Sequence, residues 1–99
     1  MAMNQHLNRC FRRNPQLEST AALGDTVLMS INPDTGDVNG NYILNELSSR
    51  IWDLLDGHNT VADLREVVVR EYAVDPDTAL KDLVTLLGDW EYEGIVQEL

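Results

Sequence analysis

The chain switches from β-type to helical sequence close to Asn45, and this switch is the strongest constraint on its fold. Residues 41–44 (NYIL) are typical of a short strand. Asn45 follows as a good helix N-cap, and the apolar residues of 47–55 recur at helical spacing. Gly57 then ends the helix. A strand that leads straight into a capped helix, in a small domain without a catalytic motif, favours binding over catalysis.

Three β-type segments are predicted before that helix, at residues 17–23, 26–31 and 39–44. Gly24 and Asp25 supply tight-turn chemistry between the first two segments, whereas the turn-forming cluster 32–37 predicts a longer link into the third. Residues 1–15 are polar and basic without a clear period. We therefore expect a flexible N-terminal arm at 1–15, followed by one domain at 16–99.

Three helices are predicted after the strands, the first of them at residues 46–55. The second begins after Thr60, whose spacing from Asp63 resembles a capping box. The third begins after Asp75, carries Pro76 in its first position and ends at Gly94. Strands followed by helices, without repeats, predict a small α+β domain.

The composition excludes several classes of function. The formal net charge is -10. After position 45 the sequence contains four basic and thirteen acidic residues, so this part of the chain repels phosphate backbones. No apolar run approaches the ~20 residues of a membrane span, and no signal segment opens the sequence. We expect a cytoplasmic protein with neither a nucleic-acid nor a membrane partner.

Residues that carry chemistry are few and scattered. His6 and His58 are predicted in loops without carboxylates at metal-binding spacing, which indicates solvated side chains rather than ligands. Cys10 is the single cysteine, so an internal disulfide is impossible and a thiolate zinc site lacks its ligands. No glycine-rich phosphate loop is present. The sequence therefore predicts no enzyme activity, no metal and no cofactor.

The third predicted helix has an unusually wide apolar surface. Its apolar positions are Ala79, Leu80, Leu83, Val84, Leu86, Leu87 and Trp90. They span roughly 160° of the helical wheel, whereas a stripe of about 100° suffices to face a core. Either the helix is wedged between the sheet and the other helices, or one flank lines a groove. Leu86 and Ala79 form one flank and Val84 the other, and the sequence does not say which flank meets the third strand.

The third strand has separate functional potential. A three-stranded sheet has two edges, and an open edge presents unpaired N–H and C=O groups to an extended peptide. Tyr42 and Leu44 point to one face of this strand and Ile43 to the other. One of these two sets belongs to the core.

Three runs of sequence together resemble a known family. They are NYILNELSSRIWDLLDG, TVADLREVVVREYAVDP and ALKDLVTLLGDWEYEGIV, and they cover most of residues 26–96. In this order and spacing they resemble the PqqD-like family, the small peptide-recognition domains of ribosomal natural-product biosynthesis.

The glycine inside the third helix, Gly88, departs from good helix-forming sequence and costs about 1 kcal/mol relative to alanine.

The resemblance implies a winged-helix-like fold with three antiparallel strands and three helices. It implies that the leader segment of a precursor peptide adds a strand to the third strand and packs on the third helix. The domain then delivers the peptide to a separate modifying enzyme or leader protease, with a lasso-peptide protease as the best single expectation. Carried onto this chain, the peptide-binding residues are Asn39, Gly40, Asn41, Tyr42, Ile43, Leu44, Leu80, Leu83, Val84, Leu86, Leu87 and Trp90.

Three alternatives remain at this point. A winged-helix nucleic-acid binder needs a basic recognition helix, but the third helix offers only Lys81 against many acidic residues. A carrier protein needs a modifiable serine at a helix start, whereas Ser48 and Ser49 lie inside the first helix. The third alternative is an interaction module with an unknown partner.

Overall fold

Strands precede the first helix, and two short strands lie among and after the helices. The computed structural model describes residues 5–22, 25–31, 34–35 and 38–99. Their elements are β1 (Cys10–Arg13), β2 (Leu17–Ala22), β3 (Asp25–Ile31), β4 (Val38–Leu44), α1 (Glu46–Leu54), β5 (Asp56–Thr60), α2 (Val61–Tyr72), α3 (Pro76–Tyr92) and β6 (Val96–Glu98). The predicted α+β class, with an antiparallel three-stranded sheet and three helices, is confirmed.

The described strands form two antiparallel sheets. One has the order β2-β3-β4 and contains the three strands that the sequence predicts. The other has the order β5-β1-β6 and is not predicted from the sequence. The predicted turn at Gly24 and most of the turn cluster at 32–37 lie outside the described residues.

β1 lies within the segment that the sequence assigns to a flexible arm. Phe11 is buried in the core, and β1 pairs with β5 on one side and β6 on the other. The Arg9 Nε and Nη2 atoms donate to the Glu98 carboxylate at 2.9 and 2.8 Å. Residues 10–13 are therefore part of the folded unit. The sequence hides this because the partners of β1 are far away along the chain and four residues are too few to establish a period.

The Arg9–Glu98 ion pair makes stability depend on pH. The hydrogen bond from Arg9 is the main cause that lowers the pKa of the Glu98 carboxyl. A lowered pKa in the folded state contributes stability above the unfolded carboxyl pKa of ~4.3, and this contribution disappears as the pH falls through the folded value. We expect Glu98→Gln to flatten the acid-side decrease in the free energy of unfolding, measured by urea titration over a pH series. An unaltered acid-side slope would contradict this assignment.

The three helices begin at the residues that the sequence indicates. The Asn45 side chain accepts from the Ser48 N–H at 2.9 Å, and Thr60 and Asp63 form the predicted capping box. The Asp75 side chain accepts from two N–H groups of the first turn of α3. These caps satisfy free N–H groups locally, which is why a short sequence pattern predicts them. The segment around His58, predicted as a turn, is strand β5 instead.

The core joins both sheets to the three helices. Leu28 of the central strand β3 is completely buried, and the Trp52 and Trp90 rings meet edge to face with centroids 6.1 Å apart. Five residues of α3 are buried: Ala79, Leu80, Leu83, Leu87 and Trp90. The wide apolar surface of this helix is therefore used mainly for packing between the other elements.

Gly88 has no close neighbour that requires a glycine. A methyl group built at its Cα meets nothing within 4 Å, and its backbone lies inside α3. Because glycine costs about 1 kcal/mol in a helix interior relative to alanine, we expect Gly88→Ala to raise the free energy of unfolding by about that amount. Chemical denaturation measures the change. An unchanged or lowered free energy of unfolding would show that Gly88 makes a contact absent from this structure.

Candidate functional site

β4 is an edge strand. It pairs with β3, and the paired residues run from Thr26 opposite Leu44 to Ile31 opposite Val38. In the described part of the chain no strand lies on the other side of β4. The register shifts once, so that Met29 faces Asn41 while Ser30 faces Asn39, which leaves Gly40 as the extra residue. Such a bulge increases the local twist of an edge. The free side of β4 nevertheless presents main-chain groups with which another extended chain can pair.

The side chains of residues 42–44 in β4 separate into a core face and a solvent face. Leu44 is only 5% exposed and belongs to the core, and Tyr42 lies on the same face with 37% exposure. Ile43 points the other way and is 72% exposed. The sequence does not decide which face of β4 belongs to the core, and the structure shows that it is the face of Tyr42 and Leu44.

Tyr42 links the edge strand to the end of α3. Its hydroxyl donates to Glu93 Oε2 at 2.8 Å, and this hydrogen bond is the main reason why the pKa of Tyr42 is raised. The link places β4 beside the C-terminal end of α3. A chain that pairs with β4 consequently comes close to this helix.

A cavity of about 270 Å³ opens between the three helices. We call it the interhelical cavity, and it is lined by Leu47, Ser48, Ile51, Val68, Val74, Ala79, Asp82, Leu83 and Leu86. Its lining is apolar except for the side chains of Ser48 and Asp82. The next residue, Ser49, donates its hydroxyl to the Leu44 carbonyl at 3.1 Å and so fixes the start of α1 against the strand.

The chain passes along α3 where β4 leads into α1. Tyr42 contacts the C-terminal end of α3, whereas Leu47, the second residue of α1, lines the interhelical cavity beside the N-terminal half of α3. The edge strand and the cavity therefore lie at neighbouring positions along the same helix.

The structure distributes the predicted site residues over two environments. Leu83 and Leu86 line the interhelical cavity, together with the Ala79 flank of α3. Leu80, Leu87 and Trp90 are buried in the core, and Val84 packs against it half-buried. For Asn39, Gly40 and Asn41 the structure describes the backbone, which lies in the edge strand. Thus the Leu86 flank, and not Val84, borders the interhelical cavity.

Several cavity residues were not named as site residues from the sequence. Leu47 and Ile51 belong to the apolar stripe of α1, and Val68 belongs to that of α2. Their spacing signals a buried face but does not indicate that part of this face lines a cavity. The helical wheel places Asp82 at the border of the Leu86 flank, but the many acidic residues of α3 give no reason to select it as a site residue.

Other kinds of site find little support in the described part of the chain. No group of three or more His, Cys, Asp or Glu side chains there is arranged to hold a metal ion. Cys10 is half-buried, and its Sγ donates to the Asn59 carbonyl at 3.3 Å. None of the described helices combines the length and apolar character that crossing a membrane requires.

Comparison with known proteins identifies the family. Residues 25–96 match the family described as Coenzyme PQQ synthesis protein D (PqqD). The chain belongs to the PqqD family. The matched region contains β3, β4, α1, β5, α2 and α3 completely, and it includes every residue of the interhelical cavity.

A solved structure shares the fold of this PqqD-family chain. It is TbiB1 in complex with the TbiA(beta) leader peptide, with a TM-score of 0.71 and 23% sequence identity. The similarity covers 87% of this chain and 94% of that chain. No match is found among the curated proteins.

Proposed function

We propose that this protein binds the leader segment of a ribosomally made precursor peptide and presents it to a separate modifying enzyme or leader protease. In this proposal the protein itself catalyses no reaction. The single observation that carries the proposal is the open edge of β4, which is followed in the chain by Leu47 and Ser48 of an apolar cavity. Membership of the PqqD family and a shared fold with TbiB1, solved with a leader peptide, support the same function.

The binding mode follows from the chemistry of an edge strand. The leader pairs its main chain with the free side of β4, which gives affinity without dependence on sequence. Specificity then comes from side-chain pockets, and an apolar side chain of the leader enters the interhelical cavity against Leu83 and Leu86. The other predicted contacts, at residues 39–44 and on α3 at Leu80, Val84, Leu87 and Trp90, position the strand and the helix in this scheme.

Delivery requires a short-lived complex with the next enzyme of the pathway. A leader held as a strand by this protein leaves the remainder of the precursor free for a protease, a cyclase or a radical enzyme. A leader protease of a lasso-peptide pathway is the partner we favour. The high acidity of the chain and the acidic surface of α3 argue against a nucleic-acid partner.

Titration of the protein with fluorescently labelled leader peptides encoded beside its gene tests the proposal. We expect one of them to bind with micromolar or better affinity. A leader with the same composition in scrambled order is the control, and we expect it not to bind. If none of the encoded leaders binds, peptide recognition is excluded. If a leader binds but the neighbouring enzyme acts equally well without this protein, delivery is excluded.

A further inference from the structure

One stripe of α3 combines acidic and apolar residues along the cavity. Asp82, Leu86, Asp89 and Glu93 are separated by four, three and four positions, which places them on the same side of the helix. Asp82 and Leu86 line the interhelical cavity, and Glu93 contacts Tyr42 of β4. The stripe therefore follows the path between the cavity and the edge strand.

The charge at the cavity has no counterpart within the described residues. The Asp82 side chain forms neither a hydrogen bond nor an ion pair there, and Asp82 is the one charged residue of the cavity lining. Arg9 and Arg50, by contrast, are already paired with glutamates. A ligand that fills the apolar cavity thus passes a carboxylate that is free to pair with a cation.

We propose that the peptide bound along β4 carries a lysine or arginine close to the apolar side chain in the interhelical cavity, and that Asp82 selects this cation. The inference rests on the proposed function and specifies its ligand. The occupant is an extended peptide with one apolar anchor and a neighbouring positive charge. Apolar burial supplies the affinity, and the complementary charge supplies the choice among apolar peptides.

The position of the cation follows from two repeat lengths. Four helical residues separate Asp82 from Leu86, which corresponds to ~6 Å along α3. Side chains on one side of an extended chain repeat every ~6.7 Å, so the cation lies about two residues from the apolar anchor.

A phage-displayed library of random peptides, selected on the whole protein at low ionic strength, tests this ligand class without knowledge of the natural leader. With the wild-type protein we expect enrichment of a large apolar residue with Lys or Arg about two positions away from it. With Asp82→Asn we expect the apolar preference to remain and the cationic preference to disappear. Asp53→Asn, which removes one negative charge from an exposed site on α1 outside the cavity lining, is the matched control and keeps both preferences.

Affinities of a selected peptide make the test quantitative. Replacement of its Lys by Gln is expected to weaken binding to the wild-type protein about two- to five-fold at low salt, as is typical of an exposed ion pair. The same replacement is expected to have no effect on binding to Asp82→Asn. This loss of coupling distinguishes direct pairing from a general effect of net charge.

The possible outcomes separate this inference from the proposed function. Enriched peptides that share an apolar residue but no positive charge would overturn the role of Asp82 and leave peptide binding intact. Absence of any enriched peptide would overturn both. A protein dimer that dissociates on Leu86→Asp substitution would show that a second copy fills the cavity, and the inference would be wrong.

Discussion

Leu86→Asp is expected to abolish most leader-peptide binding. Leu86 lines the interhelical cavity, so a carboxylate at this position removes apolar contact and places a charge where an apolar side chain enters. Full burial of a leucine-sized side chain contributes about 1.5–3 kcal/mol, which corresponds to roughly a 10- to 100-fold increase in Kd. Fluorescence anisotropy with a labelled leader measures the change.

The neighbouring residue provides a matched control. Thr85 is exposed on the same helix and does not line the interhelical cavity. Thr85→Asp therefore adds the same charge to α3 without altering the cavity. We expect this variant to bind the leader like the wild type. Circular dichroism then shows whether both variants remain folded. If folded Leu86→Asp binds the leader normally, the cavity is not the peptide-binding site.

Trp90→Ala is expected to cause the largest loss of stability. Trp90 is buried at 6% exposure and its ring packs edge to face on Trp52. Truncation of a buried tryptophan costs about 3–5 kcal/mol, a large part of the ~5–15 kcal/mol that stabilises a typical domain. For a domain of this size the expected decrease in Tm is more than about 12 °C. Thermal unfolding followed by circular dichroism measures it.

Two further variants on α3 serve as comparisons for the stability loss expected of Trp90→Ala. Tyr92 is 90% exposed, so Tyr92→Ala should change the free energy of unfolding by less than about 0.5 kcal/mol. Trp90→Phe retains an aromatic ring in the core and should fall between the two. A stable Trp90→Ala protein would contradict the packing of α3 described above.

The sequence predicts the elements that local chemistry determines. Thr60 and Asp63 satisfy each other's main-chain N–H groups within four residues, and Asp75 with Pro76 starts α3 in the same local way. Helix starts therefore appear at the predicted positions. The alternation of Val27 and Met29 with Leu28 likewise predicts strand β3, but the completely buried residue is Leu28, whereas Val27 and Met29 of the alternating apolar set are only half-buried.

The sequence fails where the structure depends on distant residues. The sheet β5-β1-β6 joins residues near both ends of the described chain, and no local pattern in Cys10–Arg13 indicates those partners. The candidate site shows the same division. The sequence anticipates the edge strand of the site, because β4 is the last predicted strand before the helices. It does not anticipate the interhelical cavity, because the cavity requires side chains from α1, α2 and α3 together. Periodicity reveals each apolar stripe but not the space that remains between three of them.

The open edge of β4 also has a consequence for the protein at high concentration. Two copies of such a strand can join edge to edge, which is a route to aggregation. Every copy carries a formal charge of -10, so approaching molecules repel each other before their edges meet. The acidity of this chain thus opposes edge-to-edge association of β4, an edge on which the described residues place no further strand.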